Sequence, residues 1–182
     1  GPGMALIDEC CLHFWEQRMD RNGKYSADGK VNKPLLEKLM THPFILKGYP
    51  KSTGRDEFGN RLFNEILNHS QRLEAKDLMR TLIAFTAKSI SVNLQNLRNF
   101  SPKATRLIVS GGGSHHPIIM DDLNHYTNIH EITDSVPLGI DPDFKEALLM
   151  AVLGAAKLMD IPANMTSVTG AKALTTLGDI LE

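Results

Sequence analysis

Little in this 182-residue chain is present in excess. Its 20 Lys and Arg face 21 Asp and Glu, for a formal net charge of −1. Without a cationic surplus there is no electrostatic footprint for nucleic acid or for an anionic membrane surface. No apolar run is long enough to span a bilayer, and no signal peptide is visible. Cysteine is scarce as well. Cys10 and Cys11 are the only 2, adjacent in a helical pattern, poorly placed to bridge each other and without metal-ligand spacing. Buried free thiols in a reducing compartment are the expectation, and with them a cytoplasmic location. The 7 histidines are scattered, and the His115-His116 pair has no ligand cluster around it, which argues against zinc. Internal repeats and low-complexity segments are missing too. The length fits one domain or part of a larger one.

What stands out is glycine at one place. The stretch "RLIVSGGGSHHPIIMDDL", residues 106–123, carries an apolar run into three glycines and then into a proline-led amphipathic run. Arg106 to Ser110 reads as a short buried strand, because Leu107, Ile108 and Val109 are continuous and apolar. Pro117 suits the first helical position, with His116 or Ser114 near the N-cap. The glycines therefore sit between the carboxyl end of a strand and a helix N-terminus, where open α/β sheets bind ligands. Lacking Cβ atoms, Gly111, Gly112 and Gly113 let a flat or anionic ligand approach the backbone. A tight turn needs only one glycine, so three favour the ligand reading. The string has neither the Lys-Ser/Thr of a P-loop nor the full dinucleotide fingerprint, so it is weak alone.

Elsewhere the pattern is mostly helical. Residues 4–19 place Ile7, Cys11, Phe14 and Trp15 at helical spacing. "DRNGKYSADGKVN" is a polar loop. Counted from Asp20, its sixth and twelfth places are Tyr25 and Val31 rather than Gly and Glu, so it is not a calcium loop. A short helix is expected over 34–40, an irregular connection over 41–59, and a helix over 61–67. The longest helix should cover 75–97. Met79, Ile83, Ile90, Leu94 and Leu97 form one stripe, with Leu78, Leu82, Phe85 and Val92 beside it, a face broad enough for burial. A helix over 117–124 and a second strand in "NIHEIT" follow. Asp141-Pro142-Asp143 has the form of an N-cap acid with proline at N1, predicting a helix to about Met159 that Pro162 stops. Two strands among so many apolar helices make a poor sheet by themselves. The fold class is α/β and helix-rich, like the later portion of a lobe whose earlier strands come from elsewhere.

Five stretches in order carry a resemblance. "GPGMALID" at 1–8, "KSTGRDEF" at 51–58, "VSGGGSHHPIIM" at 109–120, "GIDPDFKEALLMA" at 139–151 and "PANMTSVTGAKALTTLGDI" at 162–180 resemble the anhydro-N-acetylmuramic acid kinases and the related levoglucosan kinases. That resemblance implies the C-terminal part of an actin-like ATPase (ribonuclease H-like) sugar-kinase lobe. On it, residues 1–182 are the C-terminal portion of the second lobe, with 1–100 mainly helical and 101–182 a β-α-β-α nucleotide-side part. The reaction it implies uses ATP, with Mg2+, and water to open a 1,6-anhydro bridge and phosphorylate O6. The family's GTSxDG phosphate loop is not in this sequence. The aspartate of its DTGPGN motif, the catalytic base, is expected upstream of Gly1, and the family Asn after GPG is Met4 here.

Residue by residue, the resemblance assigns Gly111, Gly112 and Gly113, with Ser114, to adenosine binding. His115 and His116 follow; exposed helix-capping is the expected role for both, with an edge of the nucleotide pocket as the alternative. Glu146, in the second turn of its expected helix on a face with Met150 and Leu153, is a candidate for the sugar site. The alternative is a solvated acid that complements the helix dipole. Lys51 and Arg55 flank Ser52, Thr53 and Gly54 as a candidate anion or sugar site. The alternative has Ser52 or Thr53 capping the next helix, Asp56 supporting its first turn and Arg55 in a structural ion pair. Ser167 to Gly170 reads as a structural loop near the inter-lobe region, and Asp8 as locally paired. No metal site is expected in the chain itself.

Three functions remain in competition: the C-terminal segment of an ATP-dependent anhydrosugar kinase, inactive alone; a non-catalytic truncated paralogue binding nucleotide or a partner; and a fragment of the first. Expected partners are ATP, an anhydrosugar, and either the missing N-terminal lobe or a second copy.

Overall fold

The computed structural model describes residues 1–97, 100–103 and 105–180. It is a mixed α/β arrangement, rich in helix, with one small parallel sheet. Helix α1 (Ala5–Trp15) opens the chain. It ends four residues before the predicted limit because Glu16 takes a left-handed conformation (φ 54°), and the Gln17 and Glu16 N–H groups cap back onto Cys11 and Leu12. Cys10 and Cys11 are buried and unbridged. Burial pushes the Cys10 thiol up to about 12, which leaves it inert.

Helix α2 (Lys33–Met40) starts on Asn32, whose side chain accepts the Leu35 N–H at 2.9 Å. The connection predicted to be irregular contains a short helix, α3 (Pro43–Leu46), set up by Pro43 at its first position and the His42 ring as cap. Helix α4 (Asn60–His69) follows with Gly59 at its N-cap. Neither Ser52 nor Thr53 caps it. Thr53 instead donates to Glu57 at 2.7 Å.

Helix α5 (Ala75–Gln95) is the axis of the core. Leu78, Met79, Leu82, Ile83, Ala84 and Phe85 are buried on all sides of it, and α1, α2, α3 and α6 pack around it. A helix apolar all round must be enclosed in this way. Its last turns emerge, and Leu97 is exposed. Strand β1 (Arg106–Val109) leads through a 3-10 turn at Gly112–His115 into α6 (Pro117–Thr127). Strand β2 (Glu131–Asp134) then returns parallel to β1, pairing Leu107 with Ile132 and Val109 with Asp134. Helix α6 lies along α5. There the Arg80 guanidinium grips Asp122 with two bonds of 2.6 and 2.7 Å, both side chains largely buried.

Helix α7 runs Lys145–Leu158, starting three residues later than the Asp141 cap predicts. The Asp141 carboxylate accepts the Asp143 N–H at 2.9 Å, which makes a turn of its own, and the Phe144 N–H closes it onto the Asp141 carbonyl. Phe144 becomes the N-cap without a side-chain bond. A four-residue helix, α8 (Thr166–Thr169), closes on Gly170.

Candidate functional site

The glycine turn stands at the carboxyl end of β1, as its sequence requires. Gly111 has φ +83°, a conformation that L side chains rarely adopt. Its N–H donates to the Pro142 carbonyl at 3.1 Å, which ties the turn to the segment after β2. The Ser114 N–H and hydroxyl both return to the Gly111 carbonyl, at 2.9 and 2.8 Å. A Cβ on Gly112 would meet nothing within 4 Å, whereas one on Gly113 would stand 3.3 Å from Met4 Sδ at the start of α1. Gly113 is thus glycine for packing, and Gly112 is left open to the space in front of it.

That space is a cleft of about 520 Å³, lined by Gly112, His115, His116 and Asp143 on one side and Met4, Met19, Asp20, Arg21 and Asn22 on the other. Its size falls in the range of small-molecule sites. Two His–Asp contacts border it. His115 Nε2 lies 3.0 Å from Asp143 Oδ1 in an exposed pair. His116 Nε2 lies 3.3 Å from Asp20 Oδ2, and both of these side chains are almost fully buried. His116 is a cap, since its Nδ1 accepts the Ile119 N–H at 3.4 Å. It is not exposed, contrary to expectation, because loop 20–29 folds over it. Asp20 also accepts from the Tyr25 N–H at 2.8 Å and the Ser26 hydroxyl at 2.5 Å. Burial pushes its carboxyl up, but these bonds from His116, Ser26 and Tyr25 outweigh burial and hold it below the ordinary carboxylate range.

The second candidate group lies in the segment between α3 and α4. Lys51 Nζ donates to the Phe44 carbonyl at 2.9 Å and the Ile45 carbonyl at 3.4 Å, and rests over the Phe44 ring. Burial first, then the Lys47 charge, lowers its pKa. Arg55 reaches Asp8 of α1 at 3.6 Å while itself 73% exposed. Asp8 is pushed up to about 6 by burial, with Arg55 pulling the other way and Glu9 adding to the rise. The first turns of α1 therefore join the two groups, with Met4 against the glycine turn and Asp8 against Arg55.

Glu146 sits in the first turn of α7, not the second, and is exposed. The bond from Gly111 to Pro142 brings the approach to α7 beside the glycine turn. His115 and His116 border the cleft, the alternative the sequence held for them beside capping, whereas Met19, Asp20, Arg21, Asn22 and Asp143 line it without having been singled out as ligands.

The family model described as anhydro-N-acetylmuramic acid kinase matches residues 1–182. The chain is similar to the anhydro-N-acetylmuramic acid kinase of Clostridioides difficile, 33% identical over 180 residues, 99% of this chain and 47% of that protein. The protein of the same name from Shewanella amazonensis is 35% identical over 178 residues, 98% of this chain and 47% of the relative. That from Pseudomonas syringae pv. syringae is 36% identical over 180 residues, 99% and 49%. The chain spans about half the length of the curated relatives it matches.

Proposed function

The chain belongs to the anhydro-N-acetylmuramic acid kinase family, and from that premise we propose that it forms the nucleotide-side, C-terminal part of an ATP-dependent anhydrosugar kinase with the actin-like fold. The observation that carries this reading is the cleft in front of Gly112, at the carboxyl end of a parallel strand, with a glycine backbone that no side chain covers. Gly111 to Ser114 would receive the adenosine portion of ATP. In the proposed reaction, water adds to C1 of 1,6-anhydro-N-acetylmuramic acid or a similar anhydrosugar. The C1–O6 bond breaks, O6 takes the γ-phosphoryl group, and ADP and a proton leave.

Transfer of this kind depends on positioning and charge neutralisation. Glu146 would hold a sugar hydroxyl or the attacking water, and Lys51 and Arg55 would border the sugar side. The base that deprotonates the water, and the phosphate loop, are assigned outside this chain. Mg2+ would arrive with the nucleotide. Among the described residues no group of three or more His, Cys, Asp or Glu is placed to hold a metal ion. The exposed apolar surface of α7, with Leu148, Leu149, Met150 and Val152 in the open, favours a partner, either the remainder of a two-lobed kinase or a second copy. A non-catalytic nucleotide- or partner-binding module shares this feature and is the competing reading.

The test is calorimetric titration of this chain with ATP and Mg2+, beside a phosphoryl-transfer assay on 1,6-anhydro-N-acetylmuramic acid. Saturable nucleotide binding without transfer is expected. No nucleotide binding by a folded chain would refute the assignment of the cleft. Transfer by the chain alone would overturn the placement of the base elsewhere.

A further inference from the structure

The two walls of the cleft come from chain segments 96 residues apart. One wall is loop 20–29, and the other is the glycine turn with the start of α6. They meet at two points near the cleft. One is apolar: a Cβ on Gly23 would lie 2.8 Å from Ile118 Cδ1, so the loop's backbone is pressed onto α6. The other is the buried pair of Asp20 and His116. We infer that Asp20 and His116 are positioning residues whose contact fixes loop 20–29 against the glycine turn and so sets the shape of the nucleotide cleft. The inference rests on the nucleotide reading of that cleft.

Each partner is a hub of its own wall. The Asp20 carboxylate takes donors from Tyr25, Ser26 and His116, so the loop is wrapped around it. The His116 ring has two roles. Its Nδ1 accepts the Ile119 N–H, which leaves Nε2 to carry the proton and donate to Asp20. The His116 N–H closes the turn on the Gly113 carbonyl at 3.2 Å. A displacement of the ring therefore reaches the backbone two residues from Ser114 and three from Gly113. Helix α6 does not need the arrangement, because a short Asn or Ser would cap it equally well. A single buried hydrogen bond adds only modest net stability for its own sake. What this pair adds is register between two segments that carry the cleft.

The experiment uses the 182-residue chain with His116→Ala, Asp20→Ala, the double variant and His116→Gln. Glutamine places an N–H where Nε2 stands and gives up the cap. ATP with Mg2+ is titrated by calorimetry, and amide exchange is followed without ligand. Loss of a hydrogen bond to a charged group predicts about tenfold or weaker ATP binding in each single alanine variant. The double variant should be no weaker than the worse single, and His116→Gln should stay within about threefold of the parent. Without ligand, the Tyr25 amide and the amides of Ser114 to His116 should lose protection together in either alanine variant. Additive losses, a glutamine variant as weak as alanine, or exchange confined to one wall would each overturn the inference. Should Asp20→Ala fail to fold, Asp20→Asn, which keeps the volume, is read by the same exchange pattern. If the parent chain binds no ATP, the nucleotide reading fails and the exchange pattern alone decides the coupling.

Discussion

Replacing Gly112 by valine separates a turn that is merely tight from one that receives a ligand. A Cβ there meets no atom within 4 Å, and the residue lies outside the left-handed region. Folding should then change by no more than about 0.5–1 kcal/mol, since valine also restricts the unfolded chain. The three added carbons project into the cleft of about 520 Å³. A base or ribose resting on the glycine backbone would be pushed out of van der Waals contact and out of reach of its N–H groups. Losing one or two such bonds, at about 0.5–1.5 kcal/mol each, weakens ATP by roughly 2- to 150-fold. Gly111→Val is the converse perturbation. At φ +83° valine is strained by about 1–3 kcal/mol, so the melting temperature should fall by roughly 2–10 °C. Calorimetric titration and thermal unfolding of both variants give the two readouts. A folded Gly112→Val chain with parental ATP affinity would refute the reasoning.

Two further outcomes follow from buried charges. Asp8 rises from 3.8 to about 6 on folding, so the folded chain holds that proton more tightly, and the stabilisation it brings is lost as pH climbs through that window. Asp8→Asn should therefore flatten the pH dependence of unfolding between about pH 4 and 6 and gain about 1–2 kcal/mol at pH 7, after discount for its partial exposure; melting curves across pH check this, and an unchanged slope contradicts it. Asp122→Ala leaves the Arg80 guanidinium largely buried without its two bonds and should cost about 3–5 kcal/mol. Urea unfolding measures it, and a loss below about 1 kcal/mol would show that the pair is not holding α6 to α5.

The elements written locally were legible. Helix α5 announces itself through two adjacent apolar stripes, and β1, the glycine turn and α6 follow from an apolar run, three glycines and Pro117. What sequence could not show were choices between equally good local bonds. Asp141 has the right form for an N-cap, yet its carboxylate serves the Asp143 N–H in a turn, and α7 starts later. Thr53 could cap, but Glu57 is the partner it meets. His116 looked like a surface cap because the residue that buries it lies 96 positions earlier. Loop 20–29 has the polarity of an ion-binding loop and uses it inwardly, on one aspartate. For Lys51 and Arg55 both readings stood level. The structure engages Lys51 with the carbonyls of Phe44 and Ile45 and Arg55 with Asp8, which fixes where each cation is anchored.

Helices α5 and α7 obey the same rule with opposite results. Both are apolar on more than one face. α5 is enclosed by its neighbours, while α7 leaves Phe144, Leu148, Leu149, Met150, Val152 and Leu158 exposed. A helix of that composition is stable in water only when covered on more than one side. The two-stranded sheet before it is likewise too small to stand without further packing. Glu146 occupies the first turn of α7, close in sequence to Leu148, Leu149 and Met150. On the proposed function, whatever covers α7 must also close around Glu146. Excluding water from that carboxylate and burying the helix would then be one event, so a sugar site that needs Glu146 forms only in the covered state. That is the physical reason to expect nucleotide binding and phosphoryl transfer to come apart in this chain, the first needing only the glycine turn and its facing loop.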